Sequence, residues 1–173
     1  MPHDLSLSES VALAVVDDGA THGFAIAALT APQGELGRVW QVPAPVVYRA
    51  LGRLETAGLV RRDAVVPGRG PQRQLIEITE EGHREVVSWL AGPVRHVRDV
   101  RSQFLLKLAL LARRGEDAGP LVTAQRAEFA PIAAGLARES ERQPGFDGVL
   151  AAWRRTQVSA TLAFLDSLGP DSR

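Results

Sequence analysis

The chain has 173 residues, no cysteine and a formal net charge of zero, with 20 basic and 20 acidic side chains. That length holds one large domain or two small ones, and the missing cysteines exclude disulfides, thiolate catalysis and cysteine-ligated zinc. No apolar run is long enough to span a bilayer and no leader with a cleavage site opens the chain, so a cytoplasmic protein without membrane association is expected.

In chain order, Leu5 to Val16 reads as a first helix, with Ser6 or Ser8 as cap and Glu9 near the positive helix end. Asp17-Asp18-Gly19 stops it. Thr21 is placed to cap a second helix from His22 to Ala31, whose Phe24, Ile26 and Leu29 are expected to pack under the third. The segment Gly34 to Trp40 either extends the second helix irregularly or forms a short helix, with Leu36, Val39 and Trp40 as packing groups.

Gln41 to Gly58 has two faces at helical spacing. Val47, Leu51 and Leu54 make an apolar stripe, while Val46, Tyr48, Arg49 and Arg53 fall mainly on the other side. Pro45 suits the first helical position, and as the pre-proline residue Ala44 is expected just outside the helix. These are the features of a recognition helix, although an ordinary surface helix with two solvated arginines has the same pattern. Two strand-like runs follow, Val60 to Val66 and Arg73 to Ile78, separated by the turn formers Pro67 to Gln72. A helix followed by a hairpin with Arg69 at its tip is the order of a winged helix-turn-helix. Between Arg38 and Arg73 seven arginines stand against two acids, an excess of five positive charges in a neutral chain. Such an excess is the electrostatic footprint of a phosphate-binding surface.

Thr79 ends the hairpin and can cap a helix from Glu80 to about Ala91, closed by Gly92-Pro93. That point divides the sequence into residues 1–92, a DNA-binding domain, and residues 93–173, a helical domain. In the helical domain a first helix spans Arg98 to Arg114, with Phe104, Leu105, Leu108 and Leu111 at the centre of its apolar face. Another runs from about Pro120 to Glu141, with Pro131 inside it, and a third from about Phe146 to Leu168. The last carries Leu150, Trp153, Gln157, Ala160, Phe164 and Leu168 as a stripe. Three helices with this much apolar surface and no second layer call for self-association, with Leu108, Leu150, Trp153 and Phe164 among the groups buried between copies. The fold class expected is therefore mostly α with a small two-stranded β wing.

Catalytic machinery is not expected. His3, His22, His83 and His96 show no metal-ligand spacing, and no P-loop or GxSxG occurs. His22 more naturally holds backbone groups at a helix start. Neither a cofactor nor a metal site is expected.

The series His22-Gly23-Phe24, Val47-Tyr48-Arg49-Ala50-Leu51, Arg53-Leu54-Glu55, Ala57-Gly58-Leu59-Val60, Gly68-Arg69-Gly70 and Ile78-Thr79-Glu80-Glu81-Gly82 resembles the PadR family of bacterial transcription regulators over roughly residues 5 to 90. Phe24 replaces the family's usual tyrosine, and aliphatics around Leu75 and Ile76 replace a wing aromatic. The resemblance implies a homodimeric winged-helix regulator, usually a repressor and often relieved by a small molecule, with double-stranded DNA of inverted-repeat sequence as partner. Val46, Tyr48, Arg49, Arg53, Arg69 and Arg73 are then the expected DNA-facing residues. Trp89 lies on the helix Glu80 to Ala91, with Val86 and Leu90 beside it. It is either a packing group or, as in short family members that stack flat aromatic compounds on a tryptophan of that helix, an effector-binding residue. A winged-helix scaffold that binds protein instead of DNA is the competing possibility.

Overall fold

The computed structural model describes residues 4–19, 22–62, 75–139 and 145–168. Among these the helices are α1 (Leu7–Asp17), α2 (Gly23–Thr30), α3 (Ala44–Thr56), α4 (Glu80–Ala91), α5 (Leu105–Arg114), α6 (Gly119–Glu139) and α7 (Gly145–Ser167). Strands β1 (Val60–Arg62) and β2 (Ile76–Ile78) pair antiparallel between α3 and α4, with Arg61 opposite Glu77. The chain packs as two units, Met1–Leu90 with Leu105–Gly115, and Ala91–Phe104 with Glu116–Arg173.

In the first unit α1 is the buried centre. Its sequence is apolar on every side, and Val11 to Val16 are each at most 5% exposed. The start of α1 is closed by a capping box. The Ser6 side chain accepts from the Glu9 N–H, and Glu9 Oε2 accepts from the Ser6 N–H at 2.8 Å. α2, α3, β2 and α5 pack against α1, and Ile26, the back of α3, Leu59, Val60, Ile76, Val86 and Leu90 are buried in the same unit. The segment after α2 forms a short 3-10 turn of its own, Leu36–Arg38, which buries Leu36.

Two expectations at the front of this unit need correction. α3 begins one residue early, with Pro43 as its cap and Ala44 inside. Pro45 sits in the first turn, where its missing N–H is one the helix does not bond internally, and the steric pre-proline bias of Ala44 is a preference that does not prevent the helix from starting there. Phe24 is 67% exposed and does not pack under α3; the α2 core contact is Ile26. The cap of α2 is His22 rather than Thr21, which lies outside the described residues, as do residues 63–74 with Arg69 and Arg73.

The junction from β2 into α4 is tight. Thr79 Oγ1 accepts from the Gly82 N–H at 3.0 Å and donates to the Gly58 carbonyl at 2.8 Å. A Cβ on Gly82 would lie 2.1 Å from the Leu59 carbonyl oxygen, so only glycine lets this turn approach the α3–β1 connection. α5 is anchored by charge. Arg114 donates from both terminal nitrogens to Asp17 Oδ2 at 2.9 Å, and from one of them to the Ala14 carbonyl at 2.8 Å. Asp17 also faces His83 Nδ1 at 2.8 Å, while Arg113 joins Glu35 at 2.8 Å and Asp18.

The expected helix from Arg98 to Arg114 is instead three pieces: a 3-10 turn Val97–Asp99, a π-helical turn Val100–Phe104, and α5. The π-turn holds an extra residue, which shifts the buried face so that Phe104, Leu106, Lys107, Leu110 and Leu111 are inside while Leu105 and Leu108 are half-buried.

In the second unit α6 packs along α7. Leu121, Val122 and Phe129 of α6 and Val158 and Leu165 of α7 are buried in its core. Gln125 is fully buried and grips the backbone of Val94, accepting from its N–H at 2.7 Å and donating to its carbonyl at 2.8 Å. Along α7 the buried stripe is Val158, Thr161 and Leu165. The expected stripe through Leu150, Trp153, Gln157, Ala160, Phe164 and Leu168 is a different face of the same helix, with Trp153 60% exposed.

Candidate nucleic-acid interface

The back of α3 is Val47, Ala50, Leu51 and Leu54, all buried, as helical spacing requires. This fixes which side chains stand in front. Tyr48 and Arg49 are exposed, and Val46 is half-buried. Tyr48 is not a free-standing side chain. Its ring lies so near Gly23 that a Cβ there would sit 2.6 Å from Cε1, with Leu51 Cδ1 at 3.2 Å. The glycine of the His22-Gly23-Phe24 string therefore makes the slot that orients the tyrosine of α3. His22 beside it caps α2, its Nδ1 accepting from the Ala25 N–H at 3.0 Å, which leaves Nε2 to carry the ring proton.

The arginines of the basic window are not equivalent. Arg53 is 68% exposed along its side chain, yet its Nη1 donates to Glu9 Oε1 at 3.2 Å. Arg61 donates through Nε to Glu77 Oε2 at 2.8 Å across the strand pair, and Arg62 meets Glu55 at 3.0 Å. For Arg38 and Arg49 there is no carboxylate partner among the described residues. Counting charge along the sequence misses this, because Glu9 and Glu77 lie outside the window counted. Arg69 and Arg73, the two wing positions, lie outside the described residues.

Glu9 is held firmly. Burial raises its pKa, but the Ser6 hydrogen bonds and the Arg53 guanidinium together bring it below the usual carboxylate value. The group is ionised at neutral pH, with one oxygen on the Ser6 cap and the other on Arg53.

Trp89 is half-buried, and Lys107 Nζ lies 5.0 Å from its ring centroid. Lys107, the one lysine of the chain, is almost wholly covered, and that burial brings its pKa down to about 8. Lys107 is not among the functional residues expected from the sequence. Its spacing is the available signal: it falls three residues before Leu110 and four before Leu111, on the buried face of α5.

A helix pair with α3 presented in front, a two-stranded sheet behind its end and a threonine-capped helix returning across the core define a winged helix-turn-helix domain. Residues 12–88 match the model of the transcriptional regulator PadR-like family. Among solved structures, Bacillus subtilis PadR in complex with operator DNA is similar at 19% identity, covering 92% of this chain and 96% of that one, with a TM-score of 0.47. The protein smu.1604c of Streptococcus mutans UA159 is similar at 18% identity over 92% and 96% of the two chains, TM-score 0.45. Bacillus subtilis PadR in complex with p-coumaric acid is similar at 17% identity over 97% and 96%, TM-score 0.43. No curated protein sequence matches. Among the described residues no helix is long and apolar enough to cross a membrane.

Proposed function

We propose that the protein is a homodimeric, sequence-specific DNA-binding transcriptional regulator, a cytoplasmic repressor relieved by a small molecule. The first unit, Met1–Leu90 with Leu105–Gly115, would bind DNA, and the second, Ala91–Phe104 with Glu116–Arg173, would dimerise, in place of a single division after residue 92. The observation that carries this is the front of α3, where Tyr48 is set by Gly23 and Arg49 stands exposed without a carboxylate partner among the described residues, in a segment that matches the PadR-like family. The helix enters the major groove with Val46, Tyr48, Arg49 and Arg53 facing DNA, and the wing residues Arg69 and Arg73 meet phosphate or the minor groove. Dimerisation is supported by the face of α7 that the single chain leaves uncovered, Phe146, Val149 and Trp153, continuous with half-buried Leu150. Two copies related by a twofold axis read an inverted repeat. For the effector, half-buried Trp89, with Lys107 over its ring, is the residue on which a planar aromatic compound would stack. Such a ligand acts only through different affinities for two states of the protein.

The test is selection of duplexes from a random pool with the full chain, followed by sedimentation. An inverted-repeat site bound by a dimer is expected. Arg49→Ala should relax discrimination at one base position by roughly 1–3 kcal/mol. Equal affinity for selected and random duplex refutes specific binding and leaves the protein-scaffold alternative. A micromolar monomer refutes the dimer.

A further inference from the structure

Two of the exposed arginines of the basic window, one on α3 and one on β1, are engaged within the chain. Arg53 lies in the last turn of α3 and is tied to Glu9; Arg61 lies on β1 and is tied to Glu77. The two carboxylates are set by different means. Glu9 is only 8% exposed, and it cannot swing away, because Ser6 N–H and Ser6 Oγ–H hold one oxygen at 2.8 and 2.7 Å. Glu77 stands directly opposite Arg61 in the strand register, where cross-strand neighbours are forced together. Neither pair is a core ion pair, since both guanidiniums face solvent along most of their length. As surface pairs they add little to stability. What they do change is the charge a duplex meets.

Resting on the DNA-binding role above, we propose that Glu9 and Glu77 are specificity-determining residues. They occupy Arg53 and Arg61, so that these guanidiniums reach phosphate only on a duplex already seated by Tyr48 and Arg49, and random duplex is held weakly. Exchanging a carboxylate for a phosphate gains little by itself. It becomes favourable when the other contacts of a correct site bring the phosphate into reach. Discrimination is a difference of affinities, and lowering the affinity for wrong sequences serves it as well as raising the right one.

The test uses the full chain, a labelled random-sequence duplex, and a duplex selected by the wild type. Binding is followed by anisotropy from about 50 to 200 mM salt, the range over which phosphate contacts dominate the salt response. Gln keeps the oxygen that closes the Ser6 cap, and a capping box accepts it, so Glu9→Gln folds. Glu77→Gln changes an outward-facing strand residue. Each is expected to tighten random-duplex binding about 5–10-fold near 0.1 M salt and to steepen the salt slope by about one, the value of one more phosphate contact. The selected duplex is bound nearly as before, so the specificity ratio falls. Adding Arg53→Ala to Glu9→Gln should cancel the gain. Glu128→Gln, on α6 of the second unit, should show none. Unchanged random-duplex affinity in both variants, with a wild type that discriminates, overturns the proposal alone. An equal gain in Glu128→Gln also overturns it, as mere loss of negative charge. A wild type that binds both duplexes equally removes the DNA-binding role itself.

Discussion

Replacing Gln125 by methionine would keep length and volume while removing both of its hydrogen bonds. The perturbation is confined, because the side chain touches one backbone unit, accepting from Val94 N–H at 2.7 Å and donating to Val94 C=O at 2.8 Å. Both residues are buried, so water does not replace the lost partner. A buried polar group left without a bond costs about 1–3 kcal/mol, and two are left, giving a destabilisation of roughly 2–6 kcal/mol. Gln125→Glu sharpens the test. An ionised carboxylate can accept from Val94 N–H but opposes the Val94 carbonyl, and burial raises its pKa. The folded state then keeps a proton that the unfolded chain has lost. Stability of this variant is therefore greatest below the usual carboxylate pKa and falls as pH rises. Urea unfolding of the full chain reads the change, and hydrogen exchange at the Val94 amide localises it. A Gln125→Met protein within about 0.5 kcal/mol of wild type, the range of ordinary surface changes, with Val94 N–H as protected as before, would mean that the two Val94 bonds add nothing to stability.

Gly23→Ala should displace the ring of Tyr48, cost about 1–3 kcal/mol as an overpacking change, and weaken DNA binding; the ring resonances of this sole tyrosine report the shift directly. For Lys107, whose pKa falls from 10.5 to about 8 on burial, the unfolded chain binds more protons between those two values, so stability should rise with pH across that window. Lys107→Met should flatten the rise, and unfolding midpoints measured from neutral to alkaline pH check it.

What was legible in the sequence followed from local chemistry. Ser6 with Glu9, Thr79 before Glu80 and Glu81, and the Val47, Leu51, Leu54 spacing each act within one or two helical turns, and each is where it was expected. What was hidden depended on residues far apart. Glu9 and Arg53 are 44 positions apart and Arg61 and Glu77 are 16 apart, so a running charge count overstated the free positive surface. The face of α7 was ambiguous for another reason. Its apolar residues form two stripes, and periodicity cannot say which one the chain buries by itself. The π-turn before α5 shifted a third pattern, because a uniform helical period was assumed through Val100–Phe104. Phe24 is apolar at helical spacing, yet its side chain points outward, and nothing local distinguishes it from Ile26.

The placement of α5 has a consequence for modularity. The first unit takes Leu105–Gly115 from the middle of a stretch that otherwise builds the second, so the backbone passes between the units at three points. No single cut yields two intact pieces. A fusion that carried only the first ninety or so residues to a new partner would leave behind Arg113 and Arg114, with their grip on Asp17, Asp18 and Glu35, and the buried Leu106 and Leu110. Recombination by simple end-to-end joining would therefore fail for this architecture, and change in one half is inherited together with the other.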